Sequence, residues 1–275
     1  MRNRKLDQYI KDVAEGRISP AEMAERLRMS AYDDMDFAKL DTNRELRTGR
    51  GEVVFGLGKT PEQVAAIMRR MAEHAVAGAG DGGGVEQIPP VIATKASDEQ
   101  FAAVEGAFAD GFLGAHGLTL EYNETARMII IRDTASAAPR QDGLIAVVSG
   151  GTADMPVAEE AAVTAELYGH EVMRVYDVGI SGLHRLLDRV DDIRKADVVI
   201  AVAGMEGALA SVLSGLVYRP VVAVPTSIGY GITLSGLTPL FAMLGSCSLG
   251  IGVMNIDNGF GAAHYASMIF GAGRA

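Results

Sequence analysis

The sequence predicts an α/β protein with a parallel sheet in its second half and a smaller mixed α/β domain before it. Three observations support this prediction. From Leu144 onward, short apolar runs alternate with helical patterns, as expected for βαβ units. The chain has 33 Gly and no Trp, which suits tight loops and close backbone packing. Hydrophobic residues make up 48% of the 275 residues, enough for a sizeable core.

The first domain is predicted over residues 1–133. An apolar stripe and three polar caps before helical patterns predict four helices, and the segments IPPVIATKA and ARMIIIRD predict strands. The Gly-rich stretch over residues 75–87 predicts a loop. The stripe is Leu6, Ile10 and Val13, and the caps are Ser19 before Pro20, Thr60 with Gln63, and Ser97 with Gln100.

Residues 134–143 predict a linker, because this stretch is small and polar and ends in an Asp-Gly turn signal. The second domain is predicted over residues 144–275, where the buried strands read LIAVVSGG, EVMRVYDVG, DVVIAVAG and PVVAVPTS. The helices between and after them read MPVAEEAAVTAELYG, LHRLLDRVDDIRKA, MEGALASVLSGL and LTPLFAMLG. These alternating elements predict right-handed crossovers and a parallel sheet.

Ligands of parallel sheets bind outside the carboxyl ends of the strands. In this chain, the loops that follow the predicted strands are rich in Gly, Ser or Thr. They are therefore the predicted site for a ligand. The loops are Ser149–Pro156, Asp177–His184, Ala203–Gly207 and Pro225–Gly231.

Composition limits the classes of function. The formal net charge of −10 argues against broad affinity for nucleic acid, but is compatible with a phosphorylated small molecule held by backbone amides. One cysteine rules out an internal disulfide framework and fits a reducing compartment. The charged N-terminus lacks the apolar core of a signal peptide, and the apolar runs are too short to span a bilayer. We therefore expect a soluble cytoplasmic protein without a membrane partner.

Several residues in the predicted loops have two interpretations, one as part of a functional site and one as a structural residue. Gly150 and Gly151 precede a helix start that suits an anion, while Thr152 and Asp154 either contact a ligand or cap the helix. Glu206 is either a general acid/base or a charge in the first turn of a helix. The remaining candidates either bind a phosphate or form turns; they are Thr226, Ser227, Tyr230, Asn255, Asp257 and Asn258.

The single cysteine, Cys247, lies among Gly245, Ser246 and Ser248. A free cysteine is most often a small buried hydrophobic residue. The alternative is a reactive thiol, to which small neighbours would leave access. The sequence has no zinc-ligand spacing, no nucleophile elbow and no Walker loop.

From Leu144 to Ala266 the sequence resembles the aminoimidazole ribonucleotide carboxylase/mutase family. The purine enzymes of that family carry a Ser-Asp-Ser-Asp loop and a Ser-Ala-His-Arg segment, whereas this chain has Gly-Gly-Thr-Ala-Asp and Ser-Gly-Leu-His-Arg. The chain is more similar to the LarB-type carboxylase/hydrolase family of nickel-pincer cofactor synthesis. The motifs that carry this resemblance are DTNRELRTGRGEVVFGLGKTPEQ, GGTADMPVAEEA, AGMEGALASV, VPTSIGYG, Ser-Cys and NIDNGFGAA.

This resemblance implies carboxylation of the pyridinium ring of nicotinic acid adenine dinucleotide with CO2 or bicarbonate, and hydrolysis of the phosphoanhydride. The products would be AMP and pyridinium-3,5-biscarboxylic acid mononucleotide, a precursor of the lactate racemase cofactor. It implies Mg²⁺ with the substrate diphosphate and no organic prosthetic group. Cys247 would be the nucleophile and Glu206 the acid/base. The nucleotide would be held by Gly150, Gly151, Thr152, Asp154, Ser181, Gly204, Met205, Gly207, Thr226, Ser227, Tyr230, Asn255, Asp257 and Asn258.

Two other functions stay open from the sequence. One is a purine-pathway carboxylase or mutase in which the thiol serves only packing. The other is a nucleotide-binding module without turnover. Relatives with this fold assemble as octamers, so the resemblance also implies a homo-oligomer.

Overall fold

The computed structural model describes residues 4–29, 32–42, 44–80, 88–133 and 143–271. The chain forms two compact units. Within the described ranges, the first contains the residues up to 123 together with 128–133, and the second contains residues 124–127 and 143–271. Each unit has its own hydrophobic core. The predicted linker, residues 134–143, lies outside the described residues except for Gly143.

The first unit packs the helices of residues 61–80 and 98–107 against a mixed sheet. Strand order in this sheet is β3-β4-β6-β5, with β3 and β4 parallel and the other pairs antiparallel. The elements of this unit are α1 (Arg4–Ala14), α2 (Pro20–Met29), β1 (Asp33–Asp34), β2 (Lys39–Leu40), α3 (Arg44–Thr48), β3 (Val54–Phe55), α4 (Pro61–Gly80), β4 (Val91–Thr94), α5 (Asp98–Ala107), α6 (Phe112–Ala115), β5 (Leu118–Asn123) and β6 (Met128–Asp133).

Local signals predicted the starts of α4 and α5 correctly. The amide of Gln63 donates to Thr60 Oγ1 at 3.3 Å, and the amide of Thr60 donates to Gln63 Oε1 at 3.0 Å. Ser97 and Gln100 form the same reciprocal pair at the start of α5. These bonds satisfy amides that a helix start leaves without partners.

Two expectations for this unit were wrong. Residues 75–80, predicted as loop, are the last turns of α4, because the helix continues through its Gly and Ala residues. The strand β5 was not predicted, although it pairs with β6 over its whole length. Its sequence LTLEYN alternates apolar and polar residues, as expected for a half-buried strand, so the signal was available in the sequence.

The second unit is a three-layer α/β structure around a five-stranded, all-parallel sheet of order β11-β10-β9-β7-β8. This confirms the predicted fold class. The elements are β7 (Leu144–Ser149), α7 (Met155–Leu167), β8 (Glu171–Val175), α8 (Leu183–Leu187), α9 (Val190–Ile193), β9 (Val198–Ala203), α10 (Ala208–Leu216), β10 (Val221–Pro225), α11 (Leu237–Leu244), β11 (Ile251–Val253) and α12 (Gly259–Gly271).

The two faces of this sheet are covered by different helices. Alternate residues of β7 point to opposite cores, Ala146 and Val148 to one and Ile145 and Val147 to the other. The first core contains residues of α8, α9, α10 and α11, and the second contains the Ala-rich faces of α7 and α12. Every residue of β9 is buried, as expected for a central strand covered on both sides.

Three details of this unit differ from the predicted elements. The segment predicted as one helix over residues 183–196 forms two short helices, α8 and α9. Neither β11 nor α12 was predicted. The strand β11 has only three residues, with a Gly in the centre, so it carries little strand pattern. Among the described residues, no helix combines the length and the apolar composition needed to cross a bilayer.

Candidate active site

The predicted loops meet at the carboxyl edge of the parallel sheet. The register places Ser149 beside Val202 and Pro225 beside Ala203, so β7, β9 and β10 end at the same level. The loop of residues 254–258 follows the fifth strand, β11, at this edge. The edge is therefore the location for a ligand that the sheet topology favours.

Asp154 forms hydrogen bonds with residues of three of these loops. Its side chain is only 6% exposed. Oδ1 accepts hydrogen bonds from Thr226 Oγ1 at 2.6 Å and from the amide of Gly204 at 3.1 Å, and Oδ2 accepts from the amide of Gly151 at 2.9 Å. Both oxygens are thus engaged within the protein, and Asp154 fixes the relative positions of the loops after β7, β9 and β10.

The environment of Asp154 also changes its titration. Burial raises the pKa of the Asp154 carboxyl, and the nearby charge of Asp257 acts in the same direction. The hydrogen bonds from Thr226, Gly151 and Gly204 favour the carboxylate and oppose this rise. Burial is the largest contribution, so the pKa lies above its ordinary value.

The turn between β9 and α10 is built on a close backbone approach. A Cβ on Gly204 would lie 2.2 Å from the carbonyl oxygen of Ile228. Met205 has a φ of 53°, and its amide donates to the same carbonyl at 3.1 Å. Glu206 follows with its side chain exposed, and it makes no hydrogen bond or ion pair with a residue that the structure describes. Its carboxylate is available to a ligand.

The loops after β10 and β11 are joined through Asp257. The amide of Ser227 donates to Asp257 Oδ1 at 2.8 Å, and the amide of Asp257 donates to the carbonyl of Pro225 at 2.9 Å. Asn258 Oδ1 accepts from the amide of Gly261 at 2.8 Å and so caps α12. Asp257 and Asn258 therefore shape the loop, while Asn255 remains exposed.

The loop after β8 reaches the same edge. The amide of Asp177 donates to Ser149 Oγ at 3.3 Å, and a Cβ on Gly179 would lie 2.7 Å from the carbonyl oxygen of Gly150. Ser181 is exposed in a short 3-10 turn over Ile180–Gly182. Ser149, which the sequence patterns did not single out, is fully buried. A small polar residue directly before the Gly-Gly pair was the available signal.

The remaining candidates lie on the rim of the edge or in its turns. Thr152 and Tyr230 are exposed. Gly207 has a φ of +67°, and a Cβ there would lie 3.0 Å from Pro239. The structure thus brings together the predicted residues of all the loops at the carboxyl edge.

Cys247 is not in one of the loops at the carboxyl edge of the sheet. It is exposed, in the connection between α11 and β11. Nearby, the carbonyl of Gly250 accepts from the amide of Val221 at 2.9 Å, at the amino end of β10. Within the single chain, the thiol is therefore not part of either hydrophobic core of this unit. Among the described residues, no hydrogen bond links Cys247 to the cluster around Asp154.

In the described ranges, no three His, Cys, Asp or Glu side chains come close enough to hold a metal ion together. The expected Mg²⁺ therefore stays a prediction, and it concerns an ion that arrives with the substrate diphosphate.

Two family models match this chain. Residues 32–133 match the LarB/PurE-like N-terminal domain, and residues 144–275 match AIR carboxylase. An uncharacterized protein of Methanocaldococcus jannaschii is 38% identical over 257 residues, which is 92% of each chain. The chain belongs to the LarB-like family.

Part of this LarB-like chain is also similar to named mutases. An N5-carboxyaminoimidazole ribonucleotide mutase of Methanocaldococcus jannaschii is 32% identical over 127 residues, which cover 44% of this chain and 74% of the mutase. The corresponding mutase of Thermotoga maritima is 29% identical over 106 residues, 36% of this chain and 58% of the mutase. The chain is thus a member of a carboxylase- or mutase-type enzyme family.

Proposed function

We propose that this LarB-like chain carboxylates the pyridinium ring of nicotinic acid adenine dinucleotide and hydrolyses its phosphoanhydride. The products are AMP and pyridinium-3,5-biscarboxylic acid mononucleotide, a nickel-pincer cofactor precursor. The observation that carries the proposal is the exposed Cys247 thiol, in a chain that matches the LarB/PurE-like N-terminal domain as well as AIR carboxylase.

The thiol can make a carbon of the pyridinium ring nucleophilic. A pyridinium ring is electron-poor, so its carbons do not attack CO2. Addition of the Cys247 thiolate forms a C–S bond and converts the cationic ring into a neutral dihydropyridine with a nucleophilic enamine carbon. Cysteine suits this role because a thiolate both attacks and leaves readily.

The later steps return the enzyme to its starting state. The enamine carbon attacks CO2 and forms a C–C bond, which leaves a carboxylate and a cationic ring. A base removes the proton from that carbon, and elimination of the thiolate restores the aromatic pyridinium. The net change replaces one ring proton with one carboxylate. We assign the proton to Glu206, because its carboxylate is exposed and has no ion-pair partner among the described residues.

The loops at the carboxyl edge supply the binding groups for the nucleotide. Gly150 and Gly151 precede the N-terminus of α7, whose amides favour an anion. The sugar and phosphates would contact the exposed residues of the edge, and Mg²⁺ would enter with the diphosphate. No step of the reaction is assigned to the ion.

The proposal extends to a homo-octamer in the cytoplasm, as the family resemblance implies. An exposed apolar surface around α11 supports self-association. It includes Tyr230, Ile232, Phe241 and Leu249.

The test is an incubation of the purified chain with nicotinic acid adenine dinucleotide, Mg²⁺ and labelled bicarbonate. Mass spectrometry then follows AMP and the labelled pyridinium. We expect both products from the wild type and no labelled pyridinium from Cys247→Ala. Cys247→Ser is the matched variant, and it should also fail because a hydroxyl is a poor nucleophile and leaving group here.

The second candidate is a carboxyaminoimidazole ribonucleotide mutase, favoured by the 32% identity to a named mutase over the catalytic half. Consumption of aminoimidazole ribonucleotide substrates, with equal rates in Cys247→Ala, would replace the first proposal with this one. Binding of the dinucleotide without AMP release would instead indicate a nucleotide-binding module.

A further inference from the structure

The helix α10 follows the Glu206 turn and contacts the segment that contains Cys247. Glu206 lies two residues before the first residue of α10, and Ser211 is the fourth residue of this helix. The rise from Ala208 to Ser211 is about 4.5 Å, at ~1.5 Å per residue. A loop that contacts Ser211 therefore lies about one helical turn, measured along the axis of α10, from the Glu206 turn.

Ser211 holds both neighbours of Cys247. Its Oγ lies 2.8 Å from Ser246 Oγ, and its carbonyl accepts a hydrogen bond from Ser248 Oγ at 3.1 Å. The amide of Ser248 also donates to Ser246 Oγ at 3.2 Å, so a tight turn forms around Cys247. Cys247 lies between these contacts, with its own side chain exposed.

A second contact with α10 fixes the far side of the same loop. Ser214 Oγ donates to the carbonyl of Leu249 at 2.5 Å, one helical turn after Ser211. On the near side, the amide of Gly245 donates to the carbonyl of Phe241 at 2.8 Å and ends α11. The segment from Gly245 to Leu249 is thus attached at each end and in the middle.

We propose that Ser211 is a positioning residue, which holds the Cys247 thiol at a defined place along α10 relative to Glu206. This inference rests on the proposed function, since it assigns Cys247 the nucleophilic role. Ser211 itself does not touch the substrate. It acts by removing alternative positions of the loop, so that the thiol meets the ring in the orientation needed for attack.

The main test is Ser211→Ala in the full chain. We expect kcat for carboxylation to fall by about tenfold to a hundredfold with KM within about twofold, because the substrate-binding loops are unchanged while the nucleophile is misplaced. Hydrogen–deuterium exchange of the segment of residues 245–250 should rise, because the loop loses the side-chain contact between Ser211 and Ser246, while the bond from Ser248 to the Ser211 carbonyl stays. This second readout does not depend on activity.

Ser267→Ala is the matched control. The Ser267 hydroxyl lies 3.0 Å from His170 Nε2 and is buried in the same unit, so its removal also takes a hydroxyl contact from the protein. It should lower stability without raising exchange in the Cys247 loop and without changing kcat. A kcat loss equal to that of Ser211→Ala would mean that general destabilisation explains the effect, and the proposal would be wrong.

A double-mutant cycle with Ser246→Ala checks the contact itself. If both hydroxyls act through one hydrogen bond, the double variant should lose no more kcat than the stronger single variant. Additive losses contradict a shared contact. Unchanged exchange in Ser211→Ala overturns the attachment, and raised exchange with unchanged kcat overturns the positioning role.

The two proposals fail in different ways. If the wild type carboxylates no dinucleotide, the proposed function fails, and the positioning role for that reaction fails with it. If the wild type is active but Ser211→Ala matches it in kcat, only the inference about Ser211 fails.

Discussion

Gly204 is the residue at which backbone geometry most strictly limits the side chain. A Cβ at this position would lie 2.2 Å from the carbonyl of Ile228 and 2.6 Å from Thr226 Oγ1. Both atoms belong to the next loop, and Thr226 is held by Asp154. The edge therefore has no room to accept the extra carbon.

We predict that Gly204→Ala separates the loops after β9 and β10 and lowers stability by about 2 kcal/mol or more. Gly215→Ala is the matched control, since a Cβ there meets nothing within 4 Å and the residue lies within α10. This change should stabilise the chain by about 0.5–1 kcal/mol. Urea unfolding measures both, and equal effects would contradict the close approach.

The buried carboxyl of Asp154 predicts a specific pH dependence. Its pKa in the folded chain is raised above the ordinary 3.8, mainly by burial. Its contribution to stability is therefore fully present below pH 3.8 and is lost as pH rises through the raised pKa.

The variant Asp154→Asn isolates this effect, because the amide has a similar shape and does not titrate. The unfolding free energy of the wild type minus that of Asp154→Asn should decrease as pH rises above 3.8. Asp257→Asn should reduce the slope, because the Asp257 charge adds to the shift. A difference that increases with pH would show that the hydrogen bonds outweigh burial.

At the scale of elements, β8 is an edge strand that α7 holds through charged side chains. Arg174 contacts Glu159 at 3.0 Å and Glu166 at 2.5 Å, and the Tyr176 hydroxyl donates to Glu159 at 2.9 Å. The hydrogen bond with Glu166 is the largest cause that raises the pKa of Arg174, and burial opposes it. The guanidinium fork joins two carboxylates that α7 presents two turns apart.

We predict that Arg174→Met lowers the unfolding free energy by about 1–3 kcal/mol, between the values for exposed and buried ion pairs. Arg174→Lys should recover only part of the loss, since an ammonium lacks the fork. Arg189→Met is the control, because its pair with Asp192 is exposed and should change stability by less than about 0.5 kcal/mol. Equal losses at both positions in urea unfolding would contradict this account.

Elements with local start signals were predictable, and elements defined by their partners were not. Thr60 and Ser97 cap their helices through residues three positions away, so a short stretch of sequence contains the whole signal. The strand β11 has three residues and exists because its backbone pairs with β10. No local pattern in Ile251–Val253 distinguishes it from a loop.

At the scale of the molecule, an unusually apolar surface surrounds α11. Phe241 is 64% exposed and Leu249 is 91% exposed, and Tyr230, Ile232 and Leu234 are exposed nearby in the chain. Monomeric proteins seldom leave so many large apolar side chains in water within one region. A second copy of this chain is the occupant we propose for this surface.

We predict that Phe241→Glu shifts the chain to smaller species in light scattering after size-exclusion chromatography, because a charge enters the apolar contact. Tyr218→Glu is the control, since Tyr218 is fully exposed on the connection between α10 and β10. It should leave the mass unchanged. A Phe241→Glu variant with wild-type mass would exclude this surface from the interface.

The sequence by itself determined the class of fold and the loops that form the site. Alternating strands and helices require parallel pairing, and parallel pairing brings Gly150, Gly204 and Thr226 to one edge. The helix starts were also local properties. These features follow from periodicity and caps, which act over a few residues.

Only the tertiary structure decided how the candidate residues are used. Two of them, Asp154 and Asp257, bind other loops of the protein, whereas Glu206 has a free carboxylate among the described residues. Cys247 is exposed, and its neighbours Ser246 and Ser248 contact Ser211 of α10. These outcomes depend on contacts between residues 30 to 72 positions apart in sequence. The identity of a side chain does not reveal whether another loop already occupies its hydrogen-bonding atoms.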